Sequence, residues 1–206
     1  MSFGVNDYRK YFTIYNGKFS INVPKGTPGS VTRINKVGRE VSEIYKDFFV
    51  GKLVNIRTKT SEKYGKSWEF DLRDGGEVWT LQLSYSNSSA KNLIKILPNA
   101  DLAQEMKIQI SMKMVENKPK TSIFVSQNGV TLKHKYTRTN PNGMPDLEEI
   151  MVKGVKQLDD TKQLEFLQAM VESDILPKLS RDTNAPVSSE ALAVDDGATA
   201  GADDDF

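Results

Sequence analysis

The chain has no cysteine, and histidine occurs only once, at His134. The first absence excludes a disulfide framework, and the two together exclude a Cys/His zinc site. A histidine-based nucleophilic triad would have to rest on His134, whose neighbours carry no signature of one. No apolar run approaches the roughly 18 residues a membrane span needs. A charged start leading to an apolar stretch and a small-residue cleavage site is also missing. A soluble, cytoplasmic chain with no membrane partner is expected.

Bases are lacking beyond Arg181, and so are aromatic residues until the last position. Through Arg181, 28 Lys and Arg stand against 20 Asp and Glu, a net of +8; the last 25 residues hold seven acids and no base. The overall charge of +1 therefore conceals a basic body joined to an acidic segment. That is a pattern of nucleic-acid binders, and equally of a domain with a solubility tail. Residues 182–206 are rich in Ala, Gly, Ser and Asp and bury too little to order themselves, so a disordered tail is expected.

What is present is mostly strand signal. Two alternating segments within 11–23 meet at Asn16-Gly17, a strong hairpin signal. Residues 24–30 read as a loop that lacks the Gly-Lys-Ser/Thr ending of a phosphate loop. Strands are expected at 48–60, 67–73, 77–85, 106–115, 121–127 and 130–136. Inward stripes are Trp68, Phe70 and Leu72; Trp79, Leu81, Leu83 and Tyr85; and Ile108, Ile110, Met112 and Met114. A short helix capped by Ser88 or Ser89 is expected through Leu97, stopped by Pro98. Asp146, Glu148 and Glu149 read as acids in the first turn of a helix. A second helix is expected over 159–176, burying Leu164, Leu167, Val171 and Ile175.

Three strands, a short helix and two strands is the order of the OB-fold, a five-stranded Greek-key barrel that binds oligonucleotides. The expected organisation is mainly β. Residues 1–45 form an N-terminal β extension with a hairpin, packed on an OB-like barrel at 46–140; a helical segment fills 141–181 and the acidic tail 182–206. The alternative is another small barrel or an open antiparallel sheet.

Catalytic constellations are thin, and no enzyme activity or cofactor is expected. Glu69 and Asp71 share a strand face near Asp74 and could hold Mg²⁺; alternation instead puts them on the solvated face of a half-buried strand. The cations are better organised. Arg57, Lys59, Lys63 and Lys66 surround Tyr64, whose place in a turn exposes its ring for stacking on bases while the cations meet phosphates. Further clusters are Lys113, Lys118 and Lys120 around one turn, and Lys133, Lys135 and Arg138 on the polar face of the last strand. Trp79 and Tyr85, at the ends of an apolar stripe, are core residues by period and stacking candidates if they emerge at a rim. Tyr11 and Tyr15 face out beside Arg9, Lys10 and Lys18 and extend the path.

The basic strand-rich body, the flexible linker and the closing Asp203-Asp204-Asp205-Phe206 resemble single-stranded-DNA-binding proteins of bacteria and tailed phages. The absence of Pro before the last Phe makes the phage type the nearer likeness. The resemblance implies sequence-independent binding of single-stranded DNA in replication and recombination. It further implies that Phe206 enters an apolar pocket on replication or recombination partners while the aspartates meet a basic rim. The tail would also compete with DNA for the basic groove. Two other functions fit the residues: an RNA chaperone of cold-shock type, and a metal-dependent nuclease using Glu69, Asp71 and Asp74.

Overall fold

Asn16 and Gly17 both carry positive φ, 47° and 70°, the conformation a two-residue hairpin turn requires. They fold β1 (Lys10–Tyr15) back on β2 (Lys18–Val23) with Tyr15 opposite Lys18. The computed structural model describes residues 10–35 and 37–180; the tail residues Asp203, Asp204, Asp205 and Phe206, and Arg9, lie outside them. A second hairpin that the sequence reading passed over, β3 (Val31–Ile34) and β4 (Glu40–Lys46), extends β2.

After Asp47 the expected meander forms as β5 (Phe48–Ser61), β6 (Gly65–Asp74) and β7 (Glu77–Ser84). Then come α1 (Ser88–Ile96), β8 (Met106–Val115) and β9 (Lys118–Gln127). The cap of α1 is Asn87 rather than either serine: its Oδ1 accepts from the amides of Ser89 and Ala90. β5 is shared between two ladders, residues 48–51 pairing with β8 and 52–61 with β6. The corner lies at Gly51, where a Cβ would fall 2.5 Å from the Arg73 carbonyl oxygen. Only glycine lets the strand turn there.

The expected last strand shortens to β10 (Val130–Thr131). Beyond it Leu132 still donates to the Val125 carbonyl, but Lys135 donates to Lys95 at the end of α1, so 132–136 leaves the sheet. Among the described residues ten strands form one sheet in the order β10-β9-β8-β5-β6-β7-β1-β2-β4-β3, and no ladder closes it into a barrel. The edge of β7 away from β6 is already taken by β1, in parallel pairing of Lys10 with Trp79 through Phe12 with Leu81. The N-terminal hairpin thus occupies the edge a closing strand would need.

Residues 148–159 depart from the expected helix. They form a separate hairpin, β11 (Glu148–Val152) and β12 (Val155–Asp159), turned by Lys153-Gly154 with φ of 50° and 81°. Glu148 and Glu149 therefore sit in a strand and Asp146 in the loop before it. α2 (Thr161–Met170), a π-helical turn Val171–Ile175 and α3 (Leu176–Ser180) follow. The N-cap of α2 is Asp160, and Asp159 before it accepts from the Thr161 amide and hydroxyl. Leu164, Leu167, Val171 and Ile175 are buried as the stripe predicts. Trp68, Phe70, Leu72, Leu81 and Leu83 join Ile108, Ile110, Leu167 and Ile175 in the core. No helix among the described residues is long and apolar enough to cross a membrane.

Candidate nucleic-acid interface

The polar face of β6 is buried, contrary to the solvated face expected. Glu69 is 1% exposed and Asp71 4%. Arg57, opposite Glu69 on β5, pairs with both carboxylates. Asp71 also accepts from the Thr80 hydroxyl at 2.7 Å, and Gln82 and Lys59 lie 3.4 and 3.9 Å from Glu69 Oε1. Burial alone would lower the Arg57 pKa, but the two carboxylates outweigh it and hold it above its usual value. Arg57 is consumed by the fold, and its guanidinium fills the space between the carboxylates that a metal ion would need. Among the described residues no group of three metal-ligating side chains forms.

The same face is neutralised farther along. Arg33 on β3 donates to both oxygens of Glu43 on β4 at 2.8 Å, and the Tyr45 hydroxyl donates to Glu43 at 2.7 Å. The Arg33 guanidinium sits 3.9 Å from the centre of the Tyr15 ring, which stacks on Tyr45 at 6.2 Å. Tyr15 is thus built into a platform, while Tyr11 stays exposed.

Tyr64 lies in the β5–β6 turn with its ring 49% exposed and the Lys63 ammonium 5.2 Å from its centre. Lys59 is exposed. Lys66 is engaged: its ammonium donates to Gln168 Oε1 at 2.8 Å and covers the Tyr85 ring at 3.9 Å. Tyr85 stacks on buried Trp68 and donates to the same Gln168 oxygen, so Lys66 and Tyr85 tie the sheet to α2. Trp79 meets Phe12 and Phe49 edge-on and lies under Lys10, part of the packing rather than a free platform.

Lys113, Lys118 and Lys120 are all exposed on a β8–β9 arm, with Lys113 directly opposite Lys120. Met112 and Met114, expected inward, are exposed as well, because the arm runs past the body beyond Ile110. A Cβ at Gly17 would fall 2.4 Å from Met112 Cβ, so the N-terminal turn supports the arm's base. The ladder does not bring this arm to Tyr64. β8 pairs antiparallel with 48–51 only, so its tip runs away from the β5 end that carries Tyr64. Lys133 and Lys135 are exposed on irregular chain, their backbone carbonyls accepting from Asn99 and Asn142.

The outward face of β5, β8 and β9 was not foreseen. Register puts Phe48, Gln109 and Phe124 in one row; Val50, Lys107 and Ser126 in the next; and Ser111 with Ser122, and Lys113 with Lys120, beyond. Phe48 is 51% exposed and Phe124 46%. Two strand spacings separate them, about 9.5 Å. The Lys107 ammonium lies 4.3 Å from the Phe48 ring centre. No carboxylate stands in these rows, and among the described residues Lys107, Lys113, Lys118 and Lys120 have no ion-pair partner. The readable signal was Phe124 itself: a strand that buries Ile123 and Val125 must turn the residue between them outward.

The chain matches no known protein-family description, no curated protein and no solved structure. Its function is read from its own residues.

Proposed function

We propose that the protein binds single-stranded DNA without sequence preference, and serves replication and recombination by doing so. The observation that carries this is the outward face of β5–β8–β9, where exposed Phe48 and Phe124 stand among four unpaired lysines with no acid in the paired rows, Glu116 lying in the turn at the arm's tip. Exposed rings offer π-faces to any base, and ammonium groups neutralise the phosphates between bases. Duplex DNA keeps its base faces stacked and offers nothing for the rings, so the face favours single strands. The pairing order is a second support: β6 and β8 flank β5, β7 flanks β6, and α1 joins β7 to β8, as in an OB-fold without its closing ladder. Tyr64, Lys59 and Lys63 form a separate cationic turn that extends the path. The acidic segment 182–206 is read as a competitor for these lysines and a recruiter of basic partner proteins.

Fluorescence-anisotropy titrations with a dT oligonucleotide, its duplex, and a matched RNA test the reading, with and without Mg²⁺. Single-stranded DNA should bind far more tightly than duplex and survive intact. With four phosphates neutralised, log affinity should fall against log salt with a slope of about −3. Equal affinity for duplex, or a slope near zero, would undo the proposal. Tighter binding of RNA would move it to an RNA partner, and strand cleavage in Mg²⁺ would move it to an enzyme.

A further inference from the structure

An open cleft of about 490 Å³ lies beside α1, and none of the residues that line it belongs to the phenylalanine face. Ser86, Ser88, Lys91, Asn92 and Lys95 line it together with Leu147, just before β11, Leu158 on β12, and Asp160 and Gln163. Lys91 is committed to Asp160 as a close ion pair. Lys95 is half-buried and has no acidic partner in contact among the described residues. Burial, and then the charge of Lys91, hold the Lys95 ammonium below its ordinary pKa, with Asp160 opposing. The side chains of Ser86, Ser88 and Asn92 likewise make no hydrogen bond among the described residues. A half-buried cation and three unused polar side chains thus converge on one cavity.

We infer that this cleft is a binding site for the phosphate of a nucleotide unit, with Lys95 as its charged anchor and the two leucines against the sugar and base. A phosphate supplies the acceptor oxygens that Lys95, the two hydroxyls and the Asn92 amide lack. The volume falls within the range that encloses a small organic ligand and exceeds what bare phosphate needs. Leu147 and Leu158, otherwise exposed apolar groups, gain cover from the remainder of the nucleotide. The unit is either a free nucleotide or one residue of a bound strand; both present the same phosphate.

The test uses the full chain with lysine side chains labelled for NMR, titrated with dAMP, deoxyadenosine, inorganic phosphate and a dT oligonucleotide. The Lys95 ε-methylene signal should move with dAMP and stay still with deoxyadenosine. Lys95→Met, which keeps the packed stem, should weaken dAMP about tenfold or more, the cost of one charge-assisted hydrogen bond. Lys25→Met, in the loop after β2 and outside both the cleft and the strand-binding face, should leave dAMP affinity unchanged. A response to the oligonucleotide but not to dAMP would support the site with the strand as its source. If Lys95 responds to none of the phosphates, or if Lys95→Met binds the phosphate that moves the Lys95 signal as well as wild type does, the site is refuted. Oligonucleotide affinity that survives such a failure would leave the strand-binding face standing on its own.

Discussion

Replacing Arg57 by Met separates a structural cation from a nucleic-acid contact. The substitution keeps the aliphatic stem and removes the guanidinium that pairs with Glu69 and Asp71. Breaking a buried ion pair from one side costs about 3–5 kcal/mol, because the charge left behind has lost both water and partner. Two features place the cost near the lower end. The Arg57 side chain is 28% exposed, so water already reaches it. Asp71 keeps its Thr80 hydroxyl, and Glu69 keeps Gln82 and a distant Lys59. About 3 kcal/mol is therefore expected, or a fall in Tm of about 6–12 °C for a body of this size. Urea unfolding followed by circular dichroism should show a lower midpoint with an unchanged slope. Adding Glu69→Gln and Asp71→Asn should return much of the loss, since the three groups act as one unit. The salt dependence of DNA binding should not change. Wild-type stability together with a slope flatter by about 0.7 would mean that Arg57 meets a phosphate and that its pairing with the carboxylates is incidental.

Phe48→Ala and Phe124→Ala should each weaken dT-oligonucleotide binding by about 1–3 kcal/mol, whatever the base, with little change in Tm; a large Tm drop at unchanged affinity would make the rings structural. Lys113→Ala should flatten the salt slope by about 0.7, and a wild-type slope would remove the arm from the path. Burial alone would raise the Glu43 carboxyl, but hydrogen bonds from Arg33 and Tyr45 outweigh it and leave its pKa below 4.5. Its stabilisation is then full above pH 4.5 and lost as pH falls through the folded value; stability should drop there, and Glu43→Gln should flatten the drop. Removing residues 182–206 takes the net charge from +1 to +8; DNA binding should tighten most at low salt, and unchanged affinity there would refute self-competition.

The elements legible in the sequence are those fixed by local chemistry. Asn16-Gly17 demands positive φ, and that requirement alone specifies the β1–β2 hairpin. Trp68, Phe70 and Leu72 alternate with polar residues and so fix one face of β6. Lys153-Gly154 carried the same kind of signal, but the acids before it suggested a helix start and the hairpin was missed. Closure was illegible for a different reason. Which strand takes the free edge of β7 depends on the approach of β1, more than sixty residues earlier, and no local pattern records it. Met112 and Met114 show the limit of periodicity: alternation says which residues share a face, not whether anything lies beneath that face. They continue the stripe of Ile108 and Ile110 past the point where the body ends.

The candidate site follows from the same limit turned round. Clusters of cations are visible in a sequence, but pairing is decided by register, which is not. Arg57 stood out because Lys59, Lys63 and Lys66 were near it; register instead sets it against Glu69 and Asp71. Across the sheet the same thing recurs, with Arg33 on Glu43, Lys10 on Glu77, Lys18 on Asp47 and Lys25 on Glu40. Each such pair cancels a cation against an acid, so the number of cations overstates what a phosphate could draw on, and register decides where the net charge of the body lies. Among the described residues, four of the cations left unpaired, Lys107, Lys113, Lys118 and Lys120, share β8 and β9 with Phe124 and lie beside Phe48, the two phenylalanines whose neighbours Val125 and Phe49 fill the core side of their strands. A cation that no acid claims and a ring that no core claims share one explanation under the proposed function when they share a face: the partner we propose for both is a molecule outside the chain that carries negative charge and flat apolar surface together, as an unpaired nucleic-acid strand does.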